Sequence, residues 1–138
     1  MNKRFLIAWL ATFVVWMGGS FVIHGMALAA GYADLGAMYR SPEDSAAYMP
    51  FMLGAHVILS GAFVAIYTRG LEAKEWLGQG LRYGALIALI TAVPWYTIYY
   101  AVQPLPGMLV VKQIVFDAVL CLVLGATVAF VYRDGKRE

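Results

Sequence analysis

Residues 108–132 read MLVVKQIVFDAVLCLVLGATVAFVY. Almost every position is apolar, and the stretch is long enough to cross a bilayer, which takes roughly 20 residues of helix. Two of its residues, Lys112 and Asp117, carry full charges. Lys112 stands near one end, where its long stem lets the amine reach the headgroup level. Asp117 is short and close to the middle, where a carboxylate facing lipid costs a few kcal/mol. The stretch therefore predicts a membrane-spanning helix whose Asp117 turns toward other helices.

The rest of the chain repeats the pattern. Apolar blocks at about 5–28, 49–67 and 83–101 precede the one at 108–132, and together they use nearly all of the 138 residues. Of these residues 62% are hydrophobic and 13% charged, whereas a soluble domain carries about a quarter charged residues. The expected fold is an all-α membrane protein, a four-transmembrane-helix bundle forming one domain over 1–138. In the first loop, GYADLGAMYR places Tyr32, Leu35, Met38 and Tyr39 on one helical face, which predicts a short interfacial helix. SPED follows, with Ser41 as a cap and Glu43 and Asp44 at the positive end of the next helix. Pro50 and Pro94 are expected to kink or break the second and third helices.

The basic residues give an orientation. Lys3, Arg4, Arg69, Lys74, Arg82, Arg133, Lys136 and Arg137 fall on one side of the predicted bundle, and only Arg40 and Lys112 on the other. The positive-inside rule then places both termini in the cytoplasm. The net charge of +2 reflects this bias; no basic stripe interleaved with aromatics suggests nucleic acid. Ala27-Leu28-Ala29 has the form of a signal-peptide cleavage site, but the apolar stretch before it is long for a signal, so we read it as a retained span. The single cysteine, Cys121, excludes a disulfide within the chain and any C-x-x-C redox pair.

Polar residues gather at one depth. His24, His56, Tyr96, Tyr99, Lys112, Gln113 and Asp117 all fall in the half of the bundle toward the first loop. Gln113, Asp117 and Cys121 are spaced by four and share a helix face. These residues are the candidates for a polar cavity with Asp117 at its floor, since an intramembrane carboxylate is a functional-site candidate by default. The same groups can serve as interhelical hydrogen bonds, worth about 1 kcal/mol each. His24 and His56, on adjacent helices, are candidate ligands for haem or a metal ion. No second ligand at helical spacing accompanies either, so no cofactor is expected. Gly18, Gly25, Gly54, Gly61 and Gly125 are the expected helix-packing positions.

Three stretches carry a likeness: FVIHGMALAAGYADLGAMYR, YMPFMLGAHVILSGAFVAIYTRG and YYAVQPLPGMLVVKQIVFD. Together they resemble a group of small bacterial four-span membrane proteins of uncharacterised function. The resemblance implies the bacterial inner membrane and no particular activity. It covers His24, His56, Lys112 and Asp117 as positions within those stretches.

No nucleotide-binding loop, nucleophile elbow or zinc-protease motif occurs. Small size and the lack of a soluble domain give the first expectation, an accessory, scaffold or assembly component packed in lipid against other membrane proteins or copies of itself. The alternative is a small oligomeric transporter or proton-coupled channel centred on Asp117. A second alternative is haem or metal binding through His24 and His56.

Overall fold

The computed structural model describes residues 2–134. Lys136 and Arg137, two of the residues used to orient the chain, lie outside them. The elements are α1 (Lys3–Ser20) continued by a π-helical segment (Phe21–Ala27), α2 (Ala29–Ala33), a 3-10 turn (Gly36–Met38), α3 (Pro42–Arg69), α4 (Trp76–Ile90), α5 (Ala92–Val102) and α6 (Gly107–Val131). The described residues are all-α, and four helical stretches are long and apolar enough to span a membrane: Lys3–Ala27, Glu43–Arg69, Trp76–Val102 and Gly107–Val131.

Side-chain caps set several boundaries. The Asn2 carboxamide oxygen accepts from the Phe5 amide at 2.8 Å, and Ser41 Oγ accepts from the Asp44 amide at 3.2 Å. Glu75 accepts from the Leu77 and Gly78 amides at 2.9 and 2.6 Å, so α4 begins at Trp76, seven residues before the expected third span. Such caps satisfy amides that the first helical turn leaves unbonded.

Helix packing does not follow chain order. α1 lies between α3 and α6, α6 lies between α1 and α4, and α5 continues along α6. Arg4 and Asp134 pair at 3.3 Å, so both ends of the described chain meet at one end of the bundle. There α3 closes the ring onto α4. Phe63 and Tyr67 stand edge-on to Tyr83, with centroids 4.7 and 5.3 Å apart, and the Tyr83 hydroxyl donates to the Phe63 carbonyl at 2.6 Å. The deepest core, including Val64, Leu124, Val128 and Ala129, sits in this half.

Glycines pull α4 and α6 together. A Cβ on Gly80 or Gly84 would strike the Gly125 or Cys121 carbonyl of α6, and one on Gly125 would strike the Gly80 carbonyl. Backbone contact this close is the established use of small residues between membrane helices. Gly125 is among the glycines expected to pack helices; Gly80, which precedes the expected third span, and Gly84, which lies within it, are not. Gly61 fits its expectation too, with the Trp9 indole lying 3.0 Å from a would-be Cβ. Among the described residues nothing lies within 4 Å of a would-be Cβ on Gly18 or Gly54, and Gly25 meets Phe21 of its own turn, so these three do not pack helix against helix within this chain.

The two prolines behave differently. The third span does divide, at Thr91 (φ −118°, ψ −81°), three residues before Pro94. Pro94 has no N–H for the Ile90 carbonyl and its ring crowds that carbonyl, while Thr91 secures the end of α4 by donating both N–H and Oγ1–H to the Ile87 carbonyl. The expected interruption at Pro50 is absent, because α3 runs unbroken through it. Pro50 lies on an exposed stretch near the start of α3. One bond is lost there, and the turns on either side hold.

Away from the chain ends the bundle opens. Residues 43–59 of α3 are exposed except for half-buried His56, and α3 has no packed interface with α5.

Candidate functional site

A cavity of about 1320 Å³ occupies the gap between α3 and the pair α5–α6. Each element around it contributes for a local reason. The π-helical segment winds the end of the first span more loosely, with the Leu28 amide bonded to the Ile23 carbonyl at 2.8 Å, five residues back. This extra residue per turn aims His24 at α6. Single π turns inside helices are common at functional sites. The break at Thr91 resets the direction of α5, which brings Tyr96 onto α6. From α6 come Gln113 and Asp117, one turn apart.

The polar groups form one connected network. Gln113 Nε2 donates to the Tyr32 hydroxyl oxygen at 3.0 Å. The Tyr32 proton is then free for His24 Nδ1, 2.7 Å away. That choice leaves the imidazole proton on Nε2, which faces Asp117 Oδ1 at 3.2 Å. The Tyr96 hydroxyl donates to the other oxygen, Oδ2, through a short hydrogen bond. Burial pushes the Tyr32 hydroxyl above its usual range, so it remains a neutral O–H donor. Asp117 is thus met by two donors on a partly buried side chain, 17% exposed.

The network has a second arrangement built in. The Gln113 carboxamide oxygen is buried without a partner. If a proton is added to the His24–Asp117 pair and Nδ1 carries hydrogen, the Tyr32 oxygen must accept from it. The Tyr32 proton then needs an acceptor, and a turn of the Gln113 amide supplies the oxygen that has none.

Of the expected cavity residues, His24, His56, Tyr96, Tyr99, Gln113 and Asp117 all line the cavity. Lys112 does not: it is exposed on another face of α6, as a snorkelling lysine would be. Tyr32 was missed as a site residue. The loop before α3 was expected to form one interfacial helix; it forms two short pieces instead, and Tyr32, Met38 and Tyr39 turn to the cavity. Gly31, Ala33, Gly36 and Ala37 leave the loop little apolar surface to keep a continuous helix at an interface.

Among the described residues no group of three or more His, Cys, Asp or Glu side chains converges. His24 has both ring nitrogens engaged. The His56 ring donates from Nδ1 to the Met52 carbonyl at 2.8 Å, with Nε2 3.5 Å from Ser20 Oγ.

Compared with family models, curated proteins and solved structures, the chain matches none. Its chemistry is therefore read from its own geometry.

Proposed function

We propose that this chain is a small carrier of the bacterial inner membrane that binds a small molecule in the α3–α5 cavity and couples its passage to a proton at Asp117. One observation carries the reading: an intramembrane carboxylate held by Tyr96 and His24 in the wall of a cavity of about 1320 Å³. Ligand cavities run from about 300 to 1,000 Å³, so this one has room for a drug-sized molecule. A carboxylate at mid-membrane costs about 2.5–3.5 kcal/mol on insertion scales. Apolar residues would hold the helices together without that cost, so a purely structural role does not account for Asp117. The switchable Tyr32–Gln113 bond supplies a route by which protonation reaches the first loop. Cytoplasmic termini agree with the distribution of Lys and Arg.

A second reading, an accessory or scaffold protein, is favoured by a different feature. The exposed half of α3 carries large apolar side chains, with Phe51 75% and Ile58 72% exposed, and another helix, from a second copy or another membrane protein, would cover them.

Native mass spectrometry of protein extracted gently from its own membranes separates the two. The carrier reading expects a retained small-molecule mass that Asp117→Asn abolishes. A stoichiometric foreign polypeptide with no retained small molecule would replace it with the accessory reading.

A further inference from the structure

We infer that the ligand of this cavity is a lipophilic ammonium: a protonated amine with at least one N–H and an aromatic or alkyl body. The inference rests on the carrier reading above and adds the chemical class. Charge is the first ground. Asp117 is the sole Asp, Glu, Lys or Arg among the described residues of the wall. The nearest cations by sequence are engaged or turned elsewhere: Arg40 pairs with Asp44 at 2.7 Å and lies over the Tyr48 ring, and Lys112 is exposed on another face. An anion entering here would meet a carboxylate with no counter-charge, in surroundings of low dielectric.

Hydrogen-bond capacity is the second ground. The donors around Asp117 are already committed. Tyr96 and His24 donate to the carboxylate, Tyr32 to His24, Gln113 to Tyr32, His56 Nδ1 to Met52 and Thr91 to Ile87. What stays available beside them is acceptor capacity: the remaining lone pairs of Asp117, since a carboxylate has about four such sites. The hydroxyls of Tyr39, Tyr99 and Ser45 and the Gln103 carboxamide both donate and accept, so they do not discriminate, and the wall also holds the indole N–H groups of Trp16 and Trp95. Beside Asp117 a ligand with only carbonyl oxygens meets Tyr96 and His24, whose protons already go to the carboxylate, whereas an N–H meets the open lone pairs of that carboxylate.

The third ground is the rest of the wall. Trp16, Phe21, Trp95 and Tyr99 present aromatic rings. Rings attract a cation to their faces, most strongly where water is excluded, and they accept an apolar body. A charged nitrogen at Asp117 with a hydrocarbon tail among these rings matches both the carboxylate and the aromatic part of the wall.

The test uses the full chain in detergent and the fluorescence of Trp16 and Trp95, both in the cavity wall. Four probes share one body: phenylbutylammonium, its trimethylated quaternary analogue, phenylbutanol and phenylbutyrate. The expected order places the ammonium about ten- to a hundredfold tighter than the alcohol, with the quaternary analogue weaker than the parent ammonium and the carboxylate weakest. Asp117→Asn, checked for native helicity by circular dichroism, brings the ammonium down to the level of the alcohol. The wild-type ranking stands without the variant should the variant fail to fold. An alcohol or carboxylate that binds as tightly as the ammonium overturns the cation class and leaves the carrier reading in place. The same holds if no probe binds while native mass spectrometry still finds a retained small molecule. If neither probe nor retained molecule is found, both readings fall. The source of the ammonium is read in nanodiscs. Competition by phosphatidylethanolamine but not phosphatidylcholine assigns it to a lipid headgroup, and equal binding in both assigns it to a free amine.

Discussion

Replacing Gly84 with alanine adds one methyl group where α4 meets α6, and its cost follows from the geometry. The new Cβ would lie 2.9 Å from Leu122 Cα and 2.9 Å from the Cys121 carbonyl carbon, and closer still to the carbonyl oxygen. Carbon atoms pack at about 3.5–4.0 Å, so the helices must part by at least about 0.6 Å. A gap of about 0.5–1 Å forfeits a quarter to a half of each dispersion contact across the interface. None of the atoms struck belongs to a flexible side chain, so the clash has no local remedy. Overpacking of this kind costs about 1–3 kcal/mol. Gly54→Ala is the matched control: nothing lies within 4 Å of its would-be Cβ, and alanine gains up to about 1 kcal/mol over glycine in a helix interior. The two substitutions, chemically identical, are expected to move stability in opposite directions. Equilibrium unfolding in mixed micelles, followed by tryptophan fluorescence and helical circular dichroism, measures both. The packing argument is refuted if Gly84→Ala leaves stability within about 0.5 kcal/mol of wild type, or if Gly54→Ala is the more damaging of the two.

Two further expectations concern single bonds. Tyr96→Phe removes one of the two donors to Asp117 and should lower stability by about 1–3 kcal/mol, the cost of leaving a buried acceptor short of a partner; the same unfolding assay would contradict this if the variant matched wild type. Glu75 caps α4, and its bonds from the Gly78 and Leu77 amides hold its carboxyl below its ordinary value of 4.5. Because the folded value is the lower one, the cap contributes above the unfolded value and fades as pH falls through the folded value. Hydrogen exchange at Leu77 and Gly78 should therefore quicken, relative to the intrinsic rate, as pH falls from about 6 to about 3. Glu75→Gln should remove this dependence, and an unchanged profile in that variant would speak against the cap.

Much of the architecture is legible in the chain because bilayer-length apolar runs have few alternatives. The depth of the polar residues is legible too: helical rise alone puts His24, His56, Tyr96, Gln113 and Asp117 at one level. What periodicity cannot give is which faces meet. Gly80 precedes the expected third span and Gly84 sits at its start, and neither reads as a packing position until α6 is laid against them; Gly54 reads as one, yet nothing among the described residues lies within 4 Å of its would-be Cβ. Tyr32 carries no signal of its own, since its role depends on the looser winding of residues 21–27, which brings His24 within its reach. Pro94 and Pro50 read alike in the sequence. Pro94 acts three residues upstream, where Thr91 has its own bonds to end α4, whereas the turns around Pro50 remain helical.

The uneven attachment of α3 has a mechanical consequence. Phe63 and Tyr67 clamp one end against Tyr83, and the Trp9 indole holds the middle by donating to the Val57 carbonyl at 2.9 Å. Beyond His56, whose ring still reaches Ser20 Oγ at 3.5 Å, the helix projects like a beam fixed at its base. A beam of this kind deflects least at the clamp and most at its tip, so a small rotation near Gly61 becomes a large lateral displacement at Tyr48 and Met49. The width of the cavity mouth is thus governed by contacts near the far side of the membrane from it.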